Sequence, residues 1–189
     1  MKTYDFVQMS LLAMGGTIEG KTKLQKTVYL LGVLTDCSEE LGYRAYFYGP
    51  YSGEVATAID RLRALGFVDQ RVASGGAYDA AGFEVARYDY QLNEQGERAA
   101  EAKKKQYLQQ WEILSAAADR LNSAGEIGYM KLSIAAKTHF MLGQEQRPAT
   151  EQELAALASR FGWGVTADQV AEAAKYLEKL GLVEIVATN

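Results

Sequence analysis

The side chains with chemical potential in this chain are mostly basic or aromatic. Lys21, Lys23 and Lys26 crowd a segment that reads as the start of a helix. Free N–H groups at a helix start attract anions. Lysines there oppose the helix dipole at about 0.3–1 kcal/mol each, a penalty that a docked anion reverses. One reading is a contact to DNA phosphate; the other is a solvated cluster offset by Glu19 and Asp36. The next helix opens at Ser52 and is expected to turn Glu54, Thr57, Ala58 and Arg61 outward. Side chains near the start of such a helix read base edges in a major groove, although Glu54 and Asp60 repel the backbone. Arg71 and Arg87 flank a predicted hairpin and would reach a minor groove or phosphate. The nucleic-acid set is thus Lys21, Lys23, Lys26, Ser52, Thr57, Arg61, Arg71 and Arg87. Around one Gly49-Pro50 turn lie Tyr43, Tyr46, Phe47, Tyr48 and Tyr51. Buried, they pack the turn; exposed, Tyr46, Tyr48 and Tyr51 form a partner-binding patch.

No catalytic constellation is expected. His139 is the one histidine, lies in an apolar helix and reads as a packed core residue. Cys37 is the one cysteine, without an activating neighbour, so neither a disulfide within the chain nor a cysteine-based metal site can form. Gly15-Gly16-Thr17 followed by Gly20-Lys21-Thr22 lacks the preceding strand and the spacing of a phosphate loop. The reading is a protein that is not an enzyme, with no metal and no cofactor. Twenty Lys and Arg against 24 Asp and Glu leave a net charge of −4, so any DNA contact must come from a local patch. The N-terminus does not read as a signal peptide. No apolar run approaches the roughly 20 residues needed to span a bilayer. A cytoplasmic protein without a membrane partner is expected.

Several elements must position these residues. Tyr4, Val7, Leu11 and Met14 space a helix over Thr3 to Met14, stopped by Gly15 and Gly16. Thr22 and Gln25 match a capping box opening a second helix that fades near Asp36. Arg44 to Tyr48 reads as a strand. Ser52 caps a third helix, Gly53 to Leu65, with Val55, Ile59 and Leu62 inward and Gly66 as its stop. Phe67 to Val72 and Phe83 to Leu92 form a hairpin with a flexible tip at Ser74 to Gly76 and Asp79 to Gly82. One long helix is expected from Asn93 to Asn122, then a helix over Tyr129 to Leu142. Capping boxes at Thr150/Glu153 and Thr166/Gln169 open two more, and Leu182 to Val186 reads as a terminal strand. Leu62-Arg63-Ala64-Leu65-Gly66-Phe67-Val68 and Leu177-Glu178-Lys179-Leu180-Gly181-Leu182-Val183 form a weak internal repeat.

Lys23-Leu24-Gln25-Lys26-Thr27-Val28-Tyr29-Leu30-Leu31, Tyr48-Gly49-Pro50-Tyr51-Ser52 and Leu65-Gly66-Phe67-Val68, in that order, resemble the YwgA-like family. More remotely they are similar to the Panacea-type antitoxin domain. That domain has a tryptophan before its Gly-Pro turn, where this chain has Tyr46 to Tyr48. Tyr90-Gln91-Leu92-Asn93-Glu94-Gln95-Gly96 resembles the junction between wing and dimerisation helix in PadR-like and MarR-like regulators. These likenesses imply a winged helix used on DNA or on a protein partner. The expected fold is mainly α with small β: a winged helix-turn-helix over 1–95, a long connecting helix over 96–124, and a second helical, winged-helix-like unit over 125–189. The expected function is a dimeric, double-stranded-DNA-binding transcriptional regulator. The alternative is a protein-interaction module, such as an antitoxin-like or defence-system component, which the acidic balance favours.

Overall fold

The computed structural model describes residues 1–78, 84–125, 127–145 and 147–185. The chain is mainly helical with small antiparallel sheets. Helix α1 (Thr3–Ala13) leads through strand β1 (Thr17–Glu19) into α2 (Lys21–Leu34). A short hairpin, β2 (Arg44–Tyr46) and β3 (Gly49–Tyr51), precedes α3 (Gly53–Ala64). The expected strand over Arg44 to Tyr48 is therefore a hairpin that turns at Phe47-Tyr48. Strands β4 (Val68–Tyr78) and β5 (Glu84–Leu92) pair antiparallel, and β1 adds to the outer side of β5, giving the order β1-β5-β4. β4 carries Ser74 to Gly76, expected in the tip, and the pairing register shifts between Ser74 and Tyr78. Asp79 to Gly82 lie outside the described residues.

Two expectations about helix ends fail for physical reasons. The second helix starts two residues early, at Lys21, with Gly20 before it and no side-chain cap. Thr22 does not cap, because it already lies inside the helix, whose first bond runs from Leu24 N–H to Gly20 O; the Gln25 side chain is bonded to Ser52. The single long helix is two: α4 (Glu94–Gln106) and α5 (Leu108–Ser123), interrupted at Tyr107 with φ −119 and ψ 49. Both pieces pack on α1. Leu114, Ala117, Ala118 and Leu121 turn inward, so the inner face of α5 is spent inside the molecule.

The remaining helices are α6 (Tyr129–Glu145), α7 (Glu151–Arg160) and α8 (Ala167–Lys179). Thr150 with Glu153 and Thr166 with Gln169 form both expected capping boxes. The internal repeat is real at its helix ends. Phe67 N–H bonds Leu62 O, and Leu182 N–H bonds Leu177 O, each at 2.9 Å. Gly66 and Gly181 supply the left-handed turn between them at φ 69 and 63. The units then diverge: β4 follows Gly66, whereas residues 182–185 form no strand, and Val186 lies outside the described residues.

One hydrophobic core crosses the chain. Val7 and Leu11 of α1, Leu24, Val28 and Leu31 of α2, and Val55, Ile59 and Leu62 of α3 are buried with Leu132 of α6 and Leu177 of α8. α2 is buried on every side from Leu24 to Gly32, as expected of a helix enclosed by others. A second cluster joins Met141, Leu154, Ala158, Trp163, Val165 and Val170. Among the described residues no helix is long and apolar enough to cross a membrane.

Candidate functional site

The β2–β3 hairpin is held from three sides. Gln25 of α2 grips Ser52: its Nε2 donates to Ser52 O at 3.0 Å, and its Oε1 accepts from Ser52 N–H at 3.1 Å. Tyr43 Oη donates to Gln25 O at 2.8 Å, tying the loop before β2 to the same turn of α2. Ser52 Oγ donates to Leu41 O at 2.5 Å and accepts from Val55 N–H at 3.0 Å, the expected N-cap of α3. The next residue of the same turn, Lys26, donates from Nζ to Pro50 O at 2.6 Å. Lys26 is only 2 % exposed. Burial, reinforced by the charge of Lys137, pushes its pKa down to about 8. The stem of Lys137 lies against Gly49, where an added Cβ would sit 2.9 Å from its Cγ.

The outer end of the hairpin is fastened to the C-terminal helices. Trp163 Nε1 donates to Tyr46 O at 2.7 Å, and Ser133 Oγ donates to Tyr48 O at 2.8 Å. Trp163 stacks on Phe161 with ring centroids 4.7 Å apart, and Phe140 meets it edge-on. With the backbone fixed from behind, three consecutive rings face solvent: Tyr46 is 53 % exposed, Phe47 74 % and Tyr48 72 %. Tyr46 packs against both Phe47 and Tyr51, and Tyr51 is half-buried. Of the aromatic cluster around the turn, Tyr46, Phe47 and Tyr48 are thus surface, Phe47 most of all, and Tyr51 contributes only in part.

The basic set is not brought together as expected. Lys26 and Ser52 are buried and bonded to backbone, so neither can touch a phosphate or a base; both assignments are corrected. Lys26 is withdrawn from solvent because α6 packs on α2, with Lys137 of α6 and Lys26 meeting over Gly49. Arg87 is exposed, but both forks of its guanidinium grip Asp89 at 2.9 and 3.0 Å. Lys21 and Arg71 are exposed, and Lys23 is half-exposed. On α3, Thr57 and Arg61 face solvent, with Arg61 also lying over the Tyr4 ring at 5.6 Å from its centroid. Ala58, expected outward with them, is buried instead. Asp60 pairs with Arg63 on the same surface at 3.1 Å.

His139 is half-buried rather than enclosed in the core as expected. Its Nδ1 shares a hydrogen bond with Tyr29 Oη at 2.9 Å, and burial pushes its pKa down and that of Tyr29 up. No three His, Cys, Asp or Glu side chains among the described residues gather closely enough to hold a metal ion.

No family model matches the chain. Over 88 residues it is 34% identical to an uncharacterised protein, YwgA, of Bacillus subtilis. The match covers 47% of this chain and 48% of that protein, so the chain spans about half the length of the curated relative it matches.

Proposed function

We propose that this protein is a winged-helix interaction module that docks a partner protein on the β2–β3 hairpin tip. The carrying observation is the trio Tyr46, Phe47 and Tyr48, 53–74 % exposed on a backbone bonded from behind by Trp163 and Ser133. Exposed aromatic rings on a fixed frame lose little conformational freedom on binding, and tyrosine is enriched among residues that dominate interface energies. The winged-helix reading draws support from the order α1-β1-α2-α3-β4-β5 and the sheet order β1-β5-β4. The cell compartment proposed is the cytoplasm. The proposed homodimer would form on the outer face of α5, where Leu108 and Ile113 are exposed.

The test is site-specific crosslinking in the cells that make the protein. A photoreactive phenylalanine at Phe47 should give a discrete protein adduct, and the same group at exposed Glu178 should not. Tyr46→Ser with Tyr48→Ser should abolish the adduct while circular dichroism stays unchanged. Identical adducts at both positions, or none at Phe47, would sink the reading.

A second reading is binding of double-stranded DNA through Thr57 and Arg61 with Lys21 and Arg71. It is favoured by the exposure of these four residues beside the β4–β5 hairpin. A mobility shift that weakens steeply with salt, is lost in Arg61→Glu with Arg71→Glu, and is untouched by Phe47→Ser would move the function to that face.

A further inference from the structure

A cavity of about 660 Å³ lies between α6, α7, α8 and the chain after Gly181. Its size falls within the roughly 300–1,000 Å³ of small-molecule sites. Leu142, Leu154, Val170, Ala174 and Leu182 make its walls apolar. Thr138 belongs to the same wall; it is fully buried, and its hydroxyl has no hydrogen-bond partner. A buried hydroxyl left so costs about 1–3 kcal/mol. His139 lines the cavity beside it with Nδ1 engaged by Tyr29, which leaves Nε2 for a ligand.

The charge of the lining selects among ligands. Glu151, Glu153 and Glu184 line the cavity, and no lysine or arginine does among the described residues. Glu153 is already bonded by Arg147 and by Thr150 N–H. Among the described residues Glu151 and Glu184 carry no such pairing. The His139 ring is held neutral and adds no positive charge. For an anionic ligand the three glutamates outweigh the dipole at the start of α7; a cation would gain two carboxylates.

We propose that this cavity binds a small cationic amphiphile, an apolar body carrying a protonated amine. The apolar part fills the leucine-lined interior, and the ammonium stays at the glutamate side. None of the residues involved belongs to the hairpin tip, so the site stands or falls apart from the partner-docking role. Its bond to Tyr29 joins it to α2, the helix that holds the hairpin.

Octylamine and octanoate, equal in length and opposite in charge, are the probes. Each is titrated into the full chain and followed by amide ¹H–¹⁵N spectra. Octylamine should give saturable shifts at Leu142, Leu154 and Val170, and octanoate should bind at least about ten-fold more weakly, a difference of about 1.4 kcal/mol. Glu151→Gln with Glu184→Gln, both surface changes, should erase that preference. Ala174→Phe should fill the space and abolish the shifts. If Ala174→Phe fails to fold, the glutamine pair still decides. Equal binding of the two probes, a preference that survives the glutamine pair, shifts centred on Phe47 and Tyr48, or no saturable shift would each overturn the proposal.

Discussion

The side chain of Gln25 closes on Ser52 as a second strand would, donating to its carbonyl at 3.0 Å and accepting from its N–H at 3.1 Å. Both groups are buried, and 27 residues of chain separate the partners. The turn of α2 carrying Gln25 and Lys26 is therefore a clamp on Pro50 and Ser52 rather than an anion site. This links the Leu-Gln-Lys and Gly-Pro phrases of the sequence as two halves of one contact.

Gln25→Leu tests the clamp. Leucine has similar bulk and gains apolar burial, but it strands Ser52 N–H without a partner, at about 1–3 kcal/mol, while Ser52 C=O keeps the Ala56 N–H at 3.2 Å. The deficit outweighs the gain, and the expected loss is about 1–2 kcal/mol in urea unfolding. A loss below about 0.5 kcal/mol would show that water replaces the amide and that the clamp is weak.

Lys26 makes stability depend on pH. Its pKa falls from 10.5 to about 8 in the fold. Between those values the unfolded chain holds the proton more often than the native one, so stability rises with pH across that window. Below about pH 8 the buried charge is a cost. Lys26→Met removes the titration and leaves every other group in place. From pH 7.5 to 10, wild type should therefore gain about 2 kcal/mol relative to the variant. A constant difference between the two proteins would mean that Lys26 titrates normally.

How far the sequence could be read follows from how far apart the bonded residues are. The boxes at Thr150/Glu153 and Thr166/Gln169 were legible because both partners lie within one turn. The same spacing at Thr22 misled, since Thr22 already lies inside the helix and Gln25 bonds a residue outside it. Val55, Ile59 and Leu62 were readable as a core face from their period alone. The break at Tyr107 was not: no glycine or proline marks it, and it arises where two helices both pack on α1. Burial of Lys26 was equally hidden, because its cover comes from α6, a hundred residues along the chain. The aromatic patch was visible as composition; its exposure depends on Trp163 and Ser133, which hold the backbone.

Trp163→Phe should loosen the hairpin tip without unfolding the protein. Phenylalanine retains the stack on Phe161 and loses the Nε1 donor to Tyr46 O. The lost bond and reduced volume should cost about 1–3 kcal/mol. Amide exchange across the β2–β3 pairing should speed up by about ten-fold, while Val28 and Leu30 in the enclosed α2 keep their rates. Uniform acceleration across the molecule would mean that Trp163 supports the whole core and is no specific fastener of the tip.

Gly96→Ala sets helix propensity against packing. Gly96 lies in the first turn of α4, beside the Asn93 side chain that caps it at 3.0 Å. Alanine in place of a helical glycine gains up to about 1 kcal/mol from propensity. Here an added Cβ would stand 2.0 Å from Phe67 O and 2.9 Å from Phe67 C, both backbone atoms at the end of α3. Neither can rotate away, and Gln8 Nε2 donates to Gly96 O at 3.0 Å from the buried side of α1. Relief requires α4 to move off Phe67, breaking the Asn93 N–H bond to Phe67 O and the Gln8 bond together. The clash wins, and the substitution should destabilise by about 2–4 kcal/mol in urea unfolding, opposite in sign to the propensity gain. A variant as stable as wild type, or more so, would mean that α4 docks more loosely on the α3–β4 turn than these distances require.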